Sequence, residues 1–443
     1  MRKMKDSGIK WIGEIPDSWC IERLCYLIYE YKTGPFGSSL IMNKLNDKGD
    51  ILIYNPEIIS MKNLNLSSNK YLPEYRKKAM QSFFVKPGDI IFPIVGSLGR
   101  AMLITKSMPE GIINQRLAKF RLLANKMSYP FFMRLFGESD FFQPYIELTC
   151  RGSIIVNLTK IILNNMPVPV PPLLEQNRIA SYLNDKCSRI DDIIFDIQSE
   201  IDTLEKYKRS VITEAVTKGL DKNVEMKDSG VKWIEKIPKG WNIIKLKYVA
   251  SVVRGGSPRP INQYLSDSDD DYNWIRIGDT QKGDKYIRKT KLKIIKEGLP
   301  STRFVKKDAL LLTNSMSYGE PYILKINGCI HDGWVAFSNY KKIDKLFLYY
   351  TLLSESTRNQ FAISVSGSVV VNLNIEKVKN AYIALPPLTI QRDIVEHLDS
   401  MRVAIDNLIT NKQNQIGTLK KYKKSLIYEY VTGKKEVPSS WQN

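Results

Sequence analysis

The chain has 443 residues, 43% of them hydrophobic, and a net charge of +20. That is enough apolar material for real cores in two or more globular domains, and so basic a balance favours a polyanionic partner, nucleic acid above all. Five scattered cysteines with no CxxC pair, only two histidines, and an N-terminus (MRKMKDSGIKW) without an apolar h-region argue against a disulfide framework, a His-built metal site or triad, and a secretory leader; no apolar run reaches membrane-spanning length. These features predict reduced thiols in a cytoplasmic protein.

In chain order, the first recognisable stretch is a box, MKDSGIKWIGEIPDSW, from Met4 to Trp19. It returns as MKDSGVKWIEKIPKGW from Met226 to Trp241, with 11 of 16 positions identical. Each box leads into a variable region of roughly 150 residues. In the first, Val85-Lys86-Pro87-Gly88-Asp89-Ile90-Ile91-Phe92 predicts a turn followed by a buried strand, and Val305 to Leu312 sits opposite it in the second. Helical patterns run from Tyr129 to Phe142 and from Lys345 to Phe361. Gly152 to Leu158 (GSIIVNL) sits opposite Gly367 to Leu373 (GSVVVNL).

Then comes the stretch that organises the rest. Pro171 to Thr217 recurs without a gap as Pro386 to Thr432, and 21 of 47 positions are identical. Each copy opens on a double proline and contains no other, which suits entry into an uninterrupted helix. Ile190, Ile194, Ile197, Ile201, Leu204, Val211 and Ala215 keep heptad-type spacing, with one skipped position at Lys208. Ile405, Ile409, Ile416, Leu419 and Leu426 repeat the seam in the second copy. Two helices with matching seams predict an antiparallel coiled coil; about 40 residues span about 60 Å. A cut-down third box, Val437-Pro438-Ser439-Ser440-Trp441, follows the second helix. It predicts that this end of the chain folds back beside the first box. The expected fold is α/β (α+β). Two similar globular domains, residues 1–168 and 221–384, alternate with helical regions 169–220 and 385–443 under an internal pseudo-two-fold.

No phosphate loop, dinucleotide fingerprint or Asn-Pro-Pro-aromatic tetrapeptide is present. The acidic run Asp267-Ser268-Asp269-Asp270-Asp271 fails the EF-hand pattern, because its sixth and twelfth positions hold Tyr272 and Gly278. It reads as a solvated loop. His397 reads as a surface or seam residue, and His331 as the holder of a turn or a contact to a base. No catalytic residue, metal ligand or cofactor site is expected. What remains is a set of polar, glycine-bearing loops suited to base edges and phosphates. In the first region they carry Lys32, Thr33, Ser97, Arg100, Asn114, Gln115, Arg116, Arg151 and Ser153. In the second they carry Arg254, Ser257, Arg259, Asn314, Ser315, Ser317, Tyr318, Ser366 and Ser368.

The helix entry Pro171-Pro172-Leu173…Gln176…Ile179…Leu183 and the repeated box with Trp11, Ile15-Pro16 and Trp19 (again Trp233, Ile237-Pro238 and Trp241) resemble the conserved regions of specificity subunits of type I restriction-modification systems. The resemblance covers essentially the whole chain. It departs at Ile390, where the first copy has Glu175. It implies a subunit that does no chemistry. Each of two target recognition domains would read half of a split, asymmetric double-stranded DNA site, and the helices would fix the gap. Two DNA methyltransferase subunits and restriction-translocation subunits would dock on the conserved regions, bringing AdoMet, ATP and Mg²⁺ with them. The rival readings are a coiled-coil scaffold with two protein-binding domains and a DNA-modifying enzyme with an unrecognised site.

Overall fold

The computed structural model describes residues 2–35, 45–46, 48–60, 70–95, 100–150, 158–281, 283–315, 319–363 and 373–441. It is a mixed helix-sheet protein that divides into two units, residues 1–197 with 414–443, and residues 198–413. Each unit holds one full box, one sheet domain, the first part of one long helix and the last part of the other, and the unit with residues 414–443 also holds the cut-down third box.

Both boxes fold alike. Met4–Asp6 pairs with Glu14–Pro16, and Met226–Asp228 pairs with Lys236–Pro238 in the same register. The hairpin turn is an Asx turn, in which Asp6 Oδ1 accepts from Gly8 N at 2.9 Å and Asp228 Oδ1 accepts from Gly230 N at 2.8 Å. The Pro-x-x-Trp ends close by Trp19 N donating to Pro16 O and Trp241 N to Pro238 O, both at 2.9 Å. They bury the two indoles in the two main cores.

The sheet domains share a topology. In the first, Ile28–Thr33, Leu117–Leu122, Ile90–Pro93 and Met102–Leu103 form one sheet in that order; in the second, Ser251–Arg254, Trp334–Ser338, Leu310–Thr313, Pro321–Leu324 and Tyr286–Ile287 do. The strands Ile90–Pro93 and Leu310–Thr313 are wholly buried, as the turn-then-apolar pattern predicts. A second sheet in each domain is built on a parallel pair, Ile51–Tyr54 with Gly111–Ile113 and Tyr272–Ile275 with Gly328–Ile330. The helical patterns are realised as Tyr129–Phe132 continuing in π-helical turns Met133–Glu138, and as Lys345–Leu353 with Glu355–Ile363.

Two helices, Leu173–Lys218 and Leu388–Val431, carry the duplicated stretch. At 46 residues the first is about 69 Å long. Within each unit the helix segments run antiparallel. In one unit the Tyr182 ring lies tilted against Tyr430, centroids 4.8 Å apart, and Asp191 pairs with Lys423 at 2.6 Å. In the other Glu200 pairs with Lys412, and Lys208 with Asp406 at 2.8 Å. The seam residues Ile190, Ile201, Ala215, Ile405, Ile409, Ile416 and Leu426 are buried. Lys208 explains the skipped position. It lies on the seam, half-buried, and its ammonium meets Asp406; Lys423 and Asp191 are the same pair, 215 residues on and 215 back.

Each helix is locked at both ends. The entry glutamine is completely buried in both copies. Gln176 accepts from Ser128 N (2.7 Å) and donates to Lys126 O (2.9 Å) and Pro171 O (2.8 Å). Gln391 accepts from Asp344 N (2.7 Å) and donates to Lys342 O (3.0 Å) and Pro386 O (2.8 Å). At the far end, Gly219 (φ +80°) and Gly433 (φ +73°) reverse the chain in the left-handed region. They also lie against the boxes: a Cβ on Gly433 would stand 2.4 Å from the Pro16 ring, and one on Gly219 3.2 Å from Trp241. The third box packs beside the first, as expected. Trp441 N donates to Pro438 O at 3.0 Å, Val437 joins the core, Arg178 donates to Pro438 O at 2.9 Å, and the Trp441 ring lies 5.5 Å from Tyr182. The departure at Ile390 has a partner. Arg2 grips Glu175 through both carboxylate oxygens (2.5 and 2.9 Å), and 222 residues on Arg2 becomes Val224, so the second copy lacks both members of the pair.

Candidate nucleic-acid interface

In the first domain, the strand register brings separate loops to one end of the sheet. Thr33 lies opposite Ala118, Pro93 opposite Leu117, and Ile91 opposite Met102. Lys32 and Thr33, Arg100, and Asn114-Gln115-Arg116 therefore gather there, although they are spread over 85 residues. Ile94 N donates to Arg116 O, and Leu158 N to Ile94 O, at 2.9 and 2.8 Å, so the chain returns to the same end before the long helix. Lys32, Thr33, Arg100, Gln115 and Arg116 are exposed. Ser97, Arg151 and Ser153 lie outside the described residues.

The turn here is tightly specified. Leu117 N donates to Asn114 O at 3.0 Å, and Arg116 N to the Asn114 side-chain Oδ1 at 2.9 Å. Gly34 N donates to Leu117 O at 2.9 Å, and a Cβ on Gly34 would stand 1.9 Å from Asn114 O. Only glycine fits that approach.

The second domain builds the same device from different residues. Trp334 N donates to His331 O at 3.1 Å, and Gly333 N to His331 Nδ1 at 2.8 Å. Gly255 N donates to Trp334 O at 2.9 Å, and its Cβ would stand 2.1 Å from His331 O. Asn314 N donates to Gly333 O and Leu373 N to Asn314 O, matching Ile94 and Leu158. His331 thus holds the turn, the first of its two expected roles. His397 is exposed on the second helix, and the run Asp267–Asp270 is exposed.

The expected residues of the second region converge on Asp332. Arg254 Nε and Asn314 Nδ2 donate to its carbonyl oxygen at 2.8 and 2.9 Å, Ser257 Oγ donates to its carboxylate at 3.1 Å, and Arg259 stands 3.6 Å from the other carboxylate oxygen. Ser315 lies under the turn, its hydroxyl 3.0 Å from where a Cβ of Gly333 would be. Burial pushes the Asp332 carboxyl up, but Ser257, His331 and Arg254 pull it down further, and it sits below its ordinary value. Burial lowers the His331 pKa below its ordinary value, against the opposing pull of Asp332, so the ring is neutral near pH 7. Beside the turn opens a cleft of about 1010 Å³, lined by Arg259, Asn262, Trp274, Arg276, Ser315 and Asp332 among others. Arg276 Nε, in the cleft wall, and Asn314 Oδ1 are buried with no hydrogen-bond partner among the described residues. Ser317, Tyr318, Ser366 and Ser368 lie outside the described residues. Asp332, Trp274 and Arg276 are absent from the sequence-derived set. The signal for the turn is Gly111-Ile112-Ile113-Asn114 against Gly328-Cys329-Ile330-His331, too short to notice without the strands around it.

Among the described residues, no cluster of His, Cys, Asp or Glu is arranged to hold a metal ion, and no helix is long and apolar enough to cross a membrane. The chain matches the type I restriction modification DNA specificity domain over residues 31–203 and 238–418. It is 26% identical to the type I restriction enzyme MjaVIII specificity subunit of Methanocaldococcus jannaschii, over 82% of this chain and 84% of that one. It is 23% identical to the EcoBI specificity subunit of Escherichia coli, over 83% and 77%. A chain from a structure concerned with complex assembly and conformational transition of the type I R-M system shares the fold. Its TM-score is 0.65 at 17% identity, over 94% of this chain and 98% of that one. A duplicated frame that carries two differently furnished loop ends, matched to that family over both halves, places the chain in the type I restriction-modification DNA specificity family, as a specificity subunit serving DNA sequence recognition.

Proposed function

We propose that the chain reads a divided, asymmetric site on double-stranded DNA, one half per sheet domain, and performs no chemistry itself. The observation that carries this reading is the repeated turn: one backbone device, held by the same hydrogen bonds at the same sheet end, presents Gln115 and Arg116 in one domain and Asp332 in the other. A frame kept constant while its furnishings diverge suits two readers of different sequences. Domains 1–168 and 221–384 are the readers; regions 169–220 and 385–443 set the number of unread base pairs. Two DNA methyltransferase subunits dock on the duplicated frame, restriction-translocation subunits join them, and the assembly works in the cytoplasm. Lys32, Thr33, Arg100, Asn114, Gln115, Arg116, Arg254, Ser257, Arg259, Asn314 and Ser315, together with Ser97, Arg151, Ser153, Ser317, Tyr318, Ser366 and Ser368 outside the described residues, form the proposed DNA-contacting set.

The test is methylome sequencing of cells carrying the chain with its methyltransferase partner. Exchange of residues 20–165 for those of another family member is expected to change one half of the methylated motif only; change in both halves would defeat the division of labour. Inserting seven residues, two helical turns, into each long helix lengthens it by about 10 Å, or about three base-pair steps. The gap is expected to widen accordingly, and an unchanged gap would sink the spacer role.

A further inference from the structure

Four positions make each turn, and three of them are unavailable as shared readers. The first side chain, Asn114 or His331, is turned inward, its acceptor atom committed to closing the turn, and so cannot offer a full donor-acceptor edge to a base. The third is Arg116 in one domain and Gly333, with no side chain, in the other. The fourth, Leu117 or Trp334, is wholly buried. Only the second position, Gln115 or Asp332, offers an outward side chain in both domains. Gln115 is exposed, and the Asp332 side chain keeps 43% of its surface open.

Resting on the two-reader reading, we infer that Gln115 and Asp332 are equivalent specificity-determining residues, one for each half-site, that contact a base edge directly. Their chemistries differ in a way that assigns the bases. A glutamine amide both donates and accepts, and so matches the N7 and N6 edge of adenine; an ionised carboxylate only accepts, and so matches the N4 amino group of cytosine. Asp332 is prepared for that task. Ser257 and Arg259 fix the carboxylate, Arg254 fixes its peptide, and together the arginines offset the repulsion a carboxylate meets near phosphates.

The experiment is methylome sequencing with the full chain and its methyltransferase partner, comparing wild type, Asp332→Asn and Gln115→Glu. Asp332→Asn is expected to move one position of one half-site from cytosine towards adenine, with discrimination altered about tenfold or more. Gln115→Glu, an exposed substitution that leaves the turn hydrogen bonds intact, is expected to move one position of the other half-site from adenine towards cytosine. An unchanged motif in either variant, a change in both halves, or loss of methylation everywhere with no new preferred base overturns the assignment. A wild-type motif that is not divided into two halves overturns the two-reader reading itself, and this assignment with it.

Discussion

Asp89 is almost entirely shut off from water, yet it holds two cations: Lys119 Nζ at 2.9 Å from one carboxylate oxygen and Arg121 Nε at 2.6 Å from the other. The hydrogen bond to Asp89 is the main reason the Arg121 pKa is raised. At the matching positions the second domain has Ala309, Ala336 and Ser338, so the same sheet exists with and without a buried ion triad. Removing one partner strands a buried charge, whereas removing all three does not. Asp89→Ala alone is therefore expected to cost about 3–5 kcal/mol in urea unfolding, and the triple variant with Lys119→Ala and Arg121→Ser less than about 2 kcal/mol. His331 allows a similar comparison with Asn114. Its folded pKa is depressed below 6.5, so the unfolded chain binds the proton more readily. Stability is then expected to fall as pH drops below about 6.5 and to level off once pH passes the folded pKa. Asp332, depressed below 3.8, contributes in a separate window at lower pH. His331→Asn keeps a side-chain acceptor for the turn and is expected to flatten the unfolding midpoint between about pH 7.5 and 5.5.

On the scale of elements, the seam was legible in the sequence down to its flaw. Its apolar positions follow from 3.6-residue geometry, a local property, and the break at Lys208 marks where an ion pair replaces a leucine-type contact. The partner was not legible, because pairing Lys208 with Asp406 requires knowing the register of two segments about 200 residues apart. A polar pair on an apolar seam favours one register over its neighbours at some cost in stability. Lys208→Asp is expected to destabilise by about 1–3 kcal/mol, and Lys208→Asp with Asp406→Lys to recover most of it in a double-mutant cycle. In the tripeptides Lys206-Tyr207-Lys208 and Lys421-Tyr422-Lys423, which occupy matching positions of the two copies, Lys208 and Lys423 serve the frame, while Tyr207 and Tyr422 face outward. The sheet-end turn was only half legible. Asn114-Gln115-Arg116 stands out by composition, but its counterpart, His331-Asp332-Gly333, differs at every one of those residues. What the two share is a set of backbone hydrogen bonds, which composition does not record.

For the whole molecule, a net charge of +20 sets an expectation for binding. With its methyltransferase partner, the chain should lose DNA affinity steeply with salt, roughly a thousandfold between about 50 and 200 mM if about six phosphates are contacted. A salt-insensitive complex measured by fluorescence anisotropy would point instead to a protein scaffold. The duplicated frame was readable because both copies kept their residues; the sheet domains were readable only as short apolar runs, since their order depends on pairing between distant strands. The buried glutamines have one more consequence. Gln176 and Gln391 grip their sheet domains through peptide groups, Ser128 N and Lys126 O in one, Asp344 N and Lys342 O in the other. A grip on peptide groups is indifferent to side chains, apart from proline at the donor position. At these two points the helix therefore tolerates exchange of the sheet-domain side chains, whereas Asn184 with Arg134 and Asp399 with Tyr350 tie helix to domain side chain to side chain.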